Sequence, residues 1–103
     1  MADTVIIRIR AGSGDEGIAL YEKANAMVMP VVRSRHPGLI LHTCSKTDDG
    51  VVIVDVWEDG AMWQAMMADP EIASGFQEMG LPHPEVEIAP LHNTEQGPSF
   101  ASL

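Results

Sequence analysis

The order strand, helix, strand, strand, helix, strand along this chain predicts an α+β fold, a ferredoxin-like split βαβ sandwich with an antiparallel sheet. Three observations carry that expectation: a short β-branched run near the N-terminus, a long stretch with apolar residues three and four apart, and an Asp-Gly turn between two further β-branched runs. At 103 residues there is room for one domain, expected over residues 1–92, with 93–103 as a C-terminal tail.

Thr4 to Arg10 is β-branched and is punctuated by Ala11-Gly12-Ser13-Gly14, which makes it the first strand. Ser13 and Glu16 then stand at the spacing at which hydroxyl and carboxylate satisfy free backbone N–H groups at a helix start. From Asp15 to about Arg35, Ile18, Tyr21, Ala24, Met27, Val28, Val31 and Val32 recur at helical spacing, and Arg33 and Arg35 suit the negative end of the dipole. Pro30 removes one donor, so a kink near Ala26 to Pro30 or an early helix end is expected.

His36-Pro37-Gly38 reads as a turn, and Leu39–Lys46 and Val51–Trp57 as strands joined by Thr47-Asp48-Asp49-Gly50. A two- or four-residue loop sets even positions of one strand beside odd positions of the other. Ile40, His42 and Cys44 then share a face with Ile53, Asp55 and Trp57, while Leu39, Leu41, Val52, Val54 and Val56 occupy the other. Asp59 is the expected N-cap of a helix through Trp63, Met66 and Met67. Asp69-Pro70 restarts it, and Gly80 stops it. Glu85 to Ala89 alternates acidic and apolar residues as a strand with one wet face does.

The charge is unevenly placed within a net −9: residues 1–46 hold all six cations and four carboxylates, residues 47–103 eleven carboxylates and no cation. A phosphate backbone would be repelled, so neither nucleic acid nor an anionic membrane is an expected partner. The N-terminus lacks a basic stretch and apolar run, no segment approaches the ~20 apolar residues of a membrane span, and the lone Cys44 fits a reducing compartment; a cytoplasmic location is expected.

Val51 to Val56 is apolar on both parities except at Asp55, whereas a sheet wet on one side should alternate. A second copy packing its sheet on this one would cover the surplus face, so a homodimer is expected; long loops and the tail are the alternative cover.

Val51 to Trp57 running into Glu58-Asp59, then Trp63, Met66, Asp69-Pro70 and Ile72, resembles the strand-to-helix signature of antibiotic biosynthesis monooxygenase-like proteins, of the dimeric α+β barrels. That resemblance implies a barrel formed across a homodimer, with a small-molecule pocket between each sheet and its helices. It also implies, as one activity, oxygenation of aromatic or quinol-type substrates without metal or flavin. Where many such proteins carry histidines on the second helix, Met66 and Glu71 stand here. Haem-degrading relatives use an asparagine, a tryptophan and a histidine where this chain has Ile7 or Arg8, Met66 and Phe76, so haem degradation by that arrangement is not expected.

His42 and Asp55 form the one polar pair in an apolar sheet and are the candidate catalytic residues: burial raises a carboxyl pKa, an imidazolium lowers it, and their contact can tune a proton-transfer pair. The plainer alternative pairs Asp55 with Arg8 or Arg10. Tyr21, Met27, Trp57, Trp63, Met66, Met67 and Phe76 are the candidate substrate-binding residues, because adaptable thioethers beside aromatic rings suit a flat apolar or aromatic ligand; a filled core is the alternative. His36, His42, His83 and His92 show no metal-ligand spacing, and no metal or cofactor is expected. The reading that follows is a small-molecule-binding dimeric barrel acting as a cofactor-independent monooxygenase, with a non-enzymatic ligand-binding or stress-response barrel as its rival.

Overall fold

The computed structural model describes residues 2–103. Its order is β1 (Asp3–Arg10), α1 (Gly14–Arg35), β2 (Leu39–Lys46), β3 (Gly50–Trp57), α2 (Gly60–Met67), α3 (Pro70–Met79) and β4 (Glu85–Pro90), with a 3-10 turn at Phe100–Ser102. The four strands form one antiparallel sheet in the order β2-β3-β1-β4. This is the expected ferredoxin-like arrangement.

Local chemistry sets most boundaries. The Ser13 side chain accepts from the Glu16 N–H and opens α1. Helix α1 runs on through Pro30 to Arg35, so the helix does not end early there. Pro30 and Ala26 are exposed, and water can satisfy the Ala26 carbonyl that Pro30 cannot reach. Asp59 caps α2 by accepting from Ala61 N–H at 2.8 Å, while the Asp3 carboxylate accepts from Gly60 N–H at 2.7 Å and ties β1 to the same helix end. Asp69 caps α3, Pro70 occupies its first position, and Gly80 closes it in the left-handed region at φ 63°.

The α-helices pack on the sheet face that carries Val5, Ile9, Val51, Ile53 and Trp57, and Val31, Val32, Trp63, Met66 and Ile72 bury against it. Close approach at one end depends on two glycines. A Cβ on Gly50 would lie 1.9 Å from the Ile9 carbonyl oxygen, and one on Gly17 would lie 2.6 Å from the Gly50 backbone. Strand, strand and helix can meet there only without side chains.

The hairpin pairs His42 with Asp55 and Cys44 with Ile53, the expected parity. At its open end the parity breaks. Leu39 pairs with Trp57 and Leu41 with Val56, which makes Ile40 an extra residue in a β-bulge. Leu39 thereby turns under the helices, and Ile40 is left 58% exposed. Leu39, expected on the far side, thus lies on the helix side, and Ile40, expected on the helix side, is the exposed bulge residue. The far face, with Ile6, Val52, Val54 and Val56, carries no α-helix. Edge strand β4 leaves Val86 and Ile88 more than a third exposed, although they pair with the inward Ile7 and Val5. No helix among the described residues is long and apolar enough to cross a membrane.

Candidate functional site

The hairpin register places His42 directly opposite Asp55 on the helix face of the sheet, and α1 supplies the third member. Tyr21 lies on the α1 stripe with Gly17, Leu20, Ala24, Val28 and Val32, which faces the sheet at helical spacing. The Tyr21 hydroxyl comes 2.6 Å from His42 Nε2, and His42 Nδ1 lies 2.7 Å from Asp55 Oδ1. The remaining Asp55 oxygen accepts from Trp57 Nε1–H at 3.2 Å.

The directions of these bonds follow from the donor inventory. An ionised carboxylate only accepts, so His42 carries its proton on Nδ1 and offers an Nε2 lone pair to the Tyr21 O–H. The order is Tyr21 O–H to His42, His42 N–H to Asp55, and Trp57 N–H back to Asp55. Tyr21 therefore keeps oxygen lone pairs free toward the cavity. Burial, reinforced by Cys44 and by the carboxylates of Glu22 and Asp55, pushes the phenol above its ordinary 10.0 and holds it neutral. The Asp55 side chain is only 6% exposed, that of His42 24%, so the carboxylate is sheltered while the imidazole reaches the space above the sheet. Arg10 pairs with Asp49 and Glu85, and Arg8 stands opposite Val52, so neither serves Asp55.

That space is a cavity of about 100 Å³ between the helices and the sheet. It brings together His42, Asp55, Tyr21, Trp57, Trp63, Met66, Met67 and Phe76. Met27 is the exception among the candidate binding residues. It lies on the edge of the stripe that Leu20 occupies, two turns further along α1, and packs against Gly75 of α3, where a Cβ would come within 2.5 Å of its methyl group. Asn25, Met29 and Leu39 line the cavity without having been singled out by sequence reasoning. Asn25 and Met29 each sit one residue past a recognised stripe position, a signal that was present; Leu39 arrives through the bulge, for which the sequence holds no sign.

Polarity in this lining is sparse. The Trp63 indole belongs to the cavity wall, and its buried Nε1 has no hydrogen-bond partner among the described residues. Cys44 is half-buried beside Ile9, Val51 and Ile53, and burial, with Glu22 adding to it, pushes its thiol up, the opposite of an activated nucleophile. Among the described residues no three His, Cys, Asp or Glu side chains converge as a metal site would need. A separate polar cluster joins the end of α1 to the start of α3: Arg35 binds Asp69 through two nitrogens, at 3.1 and 3.0 Å, and His36 Nε2 meets Asp69 at 2.8 Å. It clamps the helices and lies outside the cavity lining.

No family model matches the chain, and no curated protein matches it in sequence. Solved structures do match its fold. SnoaB, a cofactor-independent oxygenase from Streptomyces nogalater, is 20% identical with a TM-score of 0.63 over 90% of this chain and 94% of its own. A monooxygenase from the gene ActVA-Orf6 of Streptomyces coelicolor, solved with the ligand Nanaomycin D, is 21% identical with a TM-score of 0.67 over 93% and 92%. A candidate antibiotic biosynthesis monooxygenase from Caulobacter crescentus is 18% identical with a TM-score of 0.65 over 91% of each chain. The whole topology thus agrees: this chain has the fold of the antibiotic biosynthesis monooxygenase-like proteins.

Proposed function

We propose that the cavity binds a small apolar or aromatic molecule and that the Tyr21–His42–Asp55 chain removes a proton from it, making the protein a cofactor-independent monooxygenase acting on an aromatic or quinol-type substrate. The observation that carries this reading is the hydrogen-bonded chain itself, with bonds of 2.6 and 2.7 Å ending at a phenol that faces an apolar cavity. A ligand hydroxyl would donate to the free lone pair of Tyr21, which passes its own proton to His42 Nε2. Asp55 then faces the resulting imidazolium. The electron-rich substrate anion supplies the electrons for oxygen, so that a ring CH₂ and O₂ become C=O and water. Trp63, in the same wall, holds a buried N–H that has no partner among the described residues. The likeness in fold to SnoaB and to the ligand-bound ActVA-Orf6 protein supports the reading.

The far sheet face supports a homodimer, since Leu41, Ile6, Val52 and Val54 lie there under no α-helix. Light scattering should then give twice the mass of one chain, and Val54→Asp should give the single-chain mass.

Oxygen uptake with a panel of anthrones and hydroquinones tests the activity. Uptake above that of denatured protein is expected, falling about 10²- to 10⁴-fold in His42→Ala. Ligand binding without uptake would instead identify a non-enzymatic binder, the reading favoured by Met66 and Glu71 at the positions of the helix histidines.

A further inference from the structure

Among the described residues the cavity lining carries no fixed positive charge. Its polar lining consists of Tyr21, Asn25, His42, Asp55 and the indoles of Trp57 and Trp63, and neither lysine nor arginine reaches it. All six cations of the chain are exposed and lie elsewhere. Arg10 is held by Asp49 and Glu85, Arg35 by Asp69 and Glu71, and Lys46 by Asp15, while Arg8 stands at an outward position of β1. The one lining group able to acquire positive charge, His42, already faces the Asp55 carboxylate at 2.7 Å.

We infer that this cavity selects uncharged ring compounds and rejects their carboxylate or sulfonate analogues; the inference rests on the cavity being the ligand site. An anion entering it would give up its water for an apolar wall, find only the Trp63 and Asn25 donors, and meet Asp55. The net charge of −9 adds repulsion on approach. A neutral ligand incurs none of these costs, and its carbonyl or hydroxyl oxygen can use the same donors.

A matched pair of probes tests this: methyl 6-hydroxy-2-naphthoate against the free acid at pH 7.5, followed by energy transfer from Trp57 and Trp63, the only two tryptophans and both in the cavity wall. The ester is expected to bind about 100-fold or more tightly than the acid. Adding a cation to the lining, by Leu81→Arg or separately by Pro84→Arg, should bring the acid to within about tenfold of the ester. Equal binding of acid and ester to the natural chain overturns the inference while leaving the ligand site standing. A preference for the ester that neither folded arginine variant narrows also overturns it, because the missing cation would then not be its origin. Binding of neither probe overturns the inference and the ligand-site reading together.

Discussion

Replacing Asp55 with Asn changes no volume and removes one thing, the ability to accept from two donors with two oxygens. In the natural chain the carboxylate takes His42 Nδ1–H at 2.7 Å and Trp57 Nε1–H at 3.2 Å. An amide has one acceptor oxygen. Trp57 is 1% exposed and its indole has no other partner among the described residues, so it should claim that oxygen and turn the Asn NH₂ toward His42. His42 must then carry its proton on Nε2, which reverses its bond with Tyr21 and leaves the phenol accepting where it formerly donated. Two charge-assisted bonds of about 1.5–3 kcal/mol become neutral ones of about 0.5–1.5 kcal/mol, a loss of about 2–3 kcal/mol in total. For a chain of this size that lowers Tm by about 4–8 °C per kcal/mol. Thermal melts give the stability, and imidazole ¹⁵N spectra give the tautomer. Expected are Nδ1–H in the natural chain and Nε2–H in Asp55→Asn, with turnover lost by the variant. An Nε2–H tautomer in the natural chain, or an unchanged tautomer and Tm in the variant, would refute the directional chain.

Tyr21 is the only tyrosine, so its ionisation is visible by absorbance without interference from another phenol; it should titrate above 10.0, and Asp55→Asn should bring it closer to that value. Because folding holds this phenol neutral, its contribution to stability is intact below about pH 10 and is lost as pH rises through the folded value. Arg35, then His36, hold the Asp69 carboxyl well below the ordinary carboxylate range. That stabilisation is present above about pH 4 and is lost as pH falls toward the folded value, so acid unfolding of Asp69→Asn should be less steep than that of the natural chain between about pH 5 and 2. Gly17→Ala places a Cβ 2.6 Å from the Gly50 backbone and should cost about 1–3 kcal/mol in urea unfolding as α1 lifts from the hairpin.

The pairing of His42 with Asp55 was legible because a β-hairpin obeys simple counting: Thr47 to Gly50 fixes the parity, and parity fixes which side chains meet. Caps were legible for the same local reason, since Ser13, Asp59 and Gly80 act on backbone close to themselves in the chain. What escaped is decided at long range. The bond from Tyr21 to His42 depends on how α1 is rotated and seated on the sheet, which no local pattern specifies, so Tyr21 read only as one of several wall residues. The same rotation separates Met27, turned to α3, from Met29, turned to the cavity. The bulge at Ile40 follows from burying Leu39 beneath two helices, and both Ile40 and Leu41 are apolar enough to have taken that place.

The bulge makes strand β2 unequal in its tolerance of length changes. Upstream of His42, Ile40 is supernumerary: deleting it would leave Leu39 opposite Trp57 and Leu41 opposite Val56, with regular pairing throughout. Downstream there is no such slack. Removing one residue between Thr43 and Lys46 would slide His42 from Asp55 to Val54 and point its ring to the far side of the sheet. The strand can therefore be shortened at its entrance without disturbing the imidazole, whereas on the hairpin side a single missing codon would uncouple it from the carboxylate.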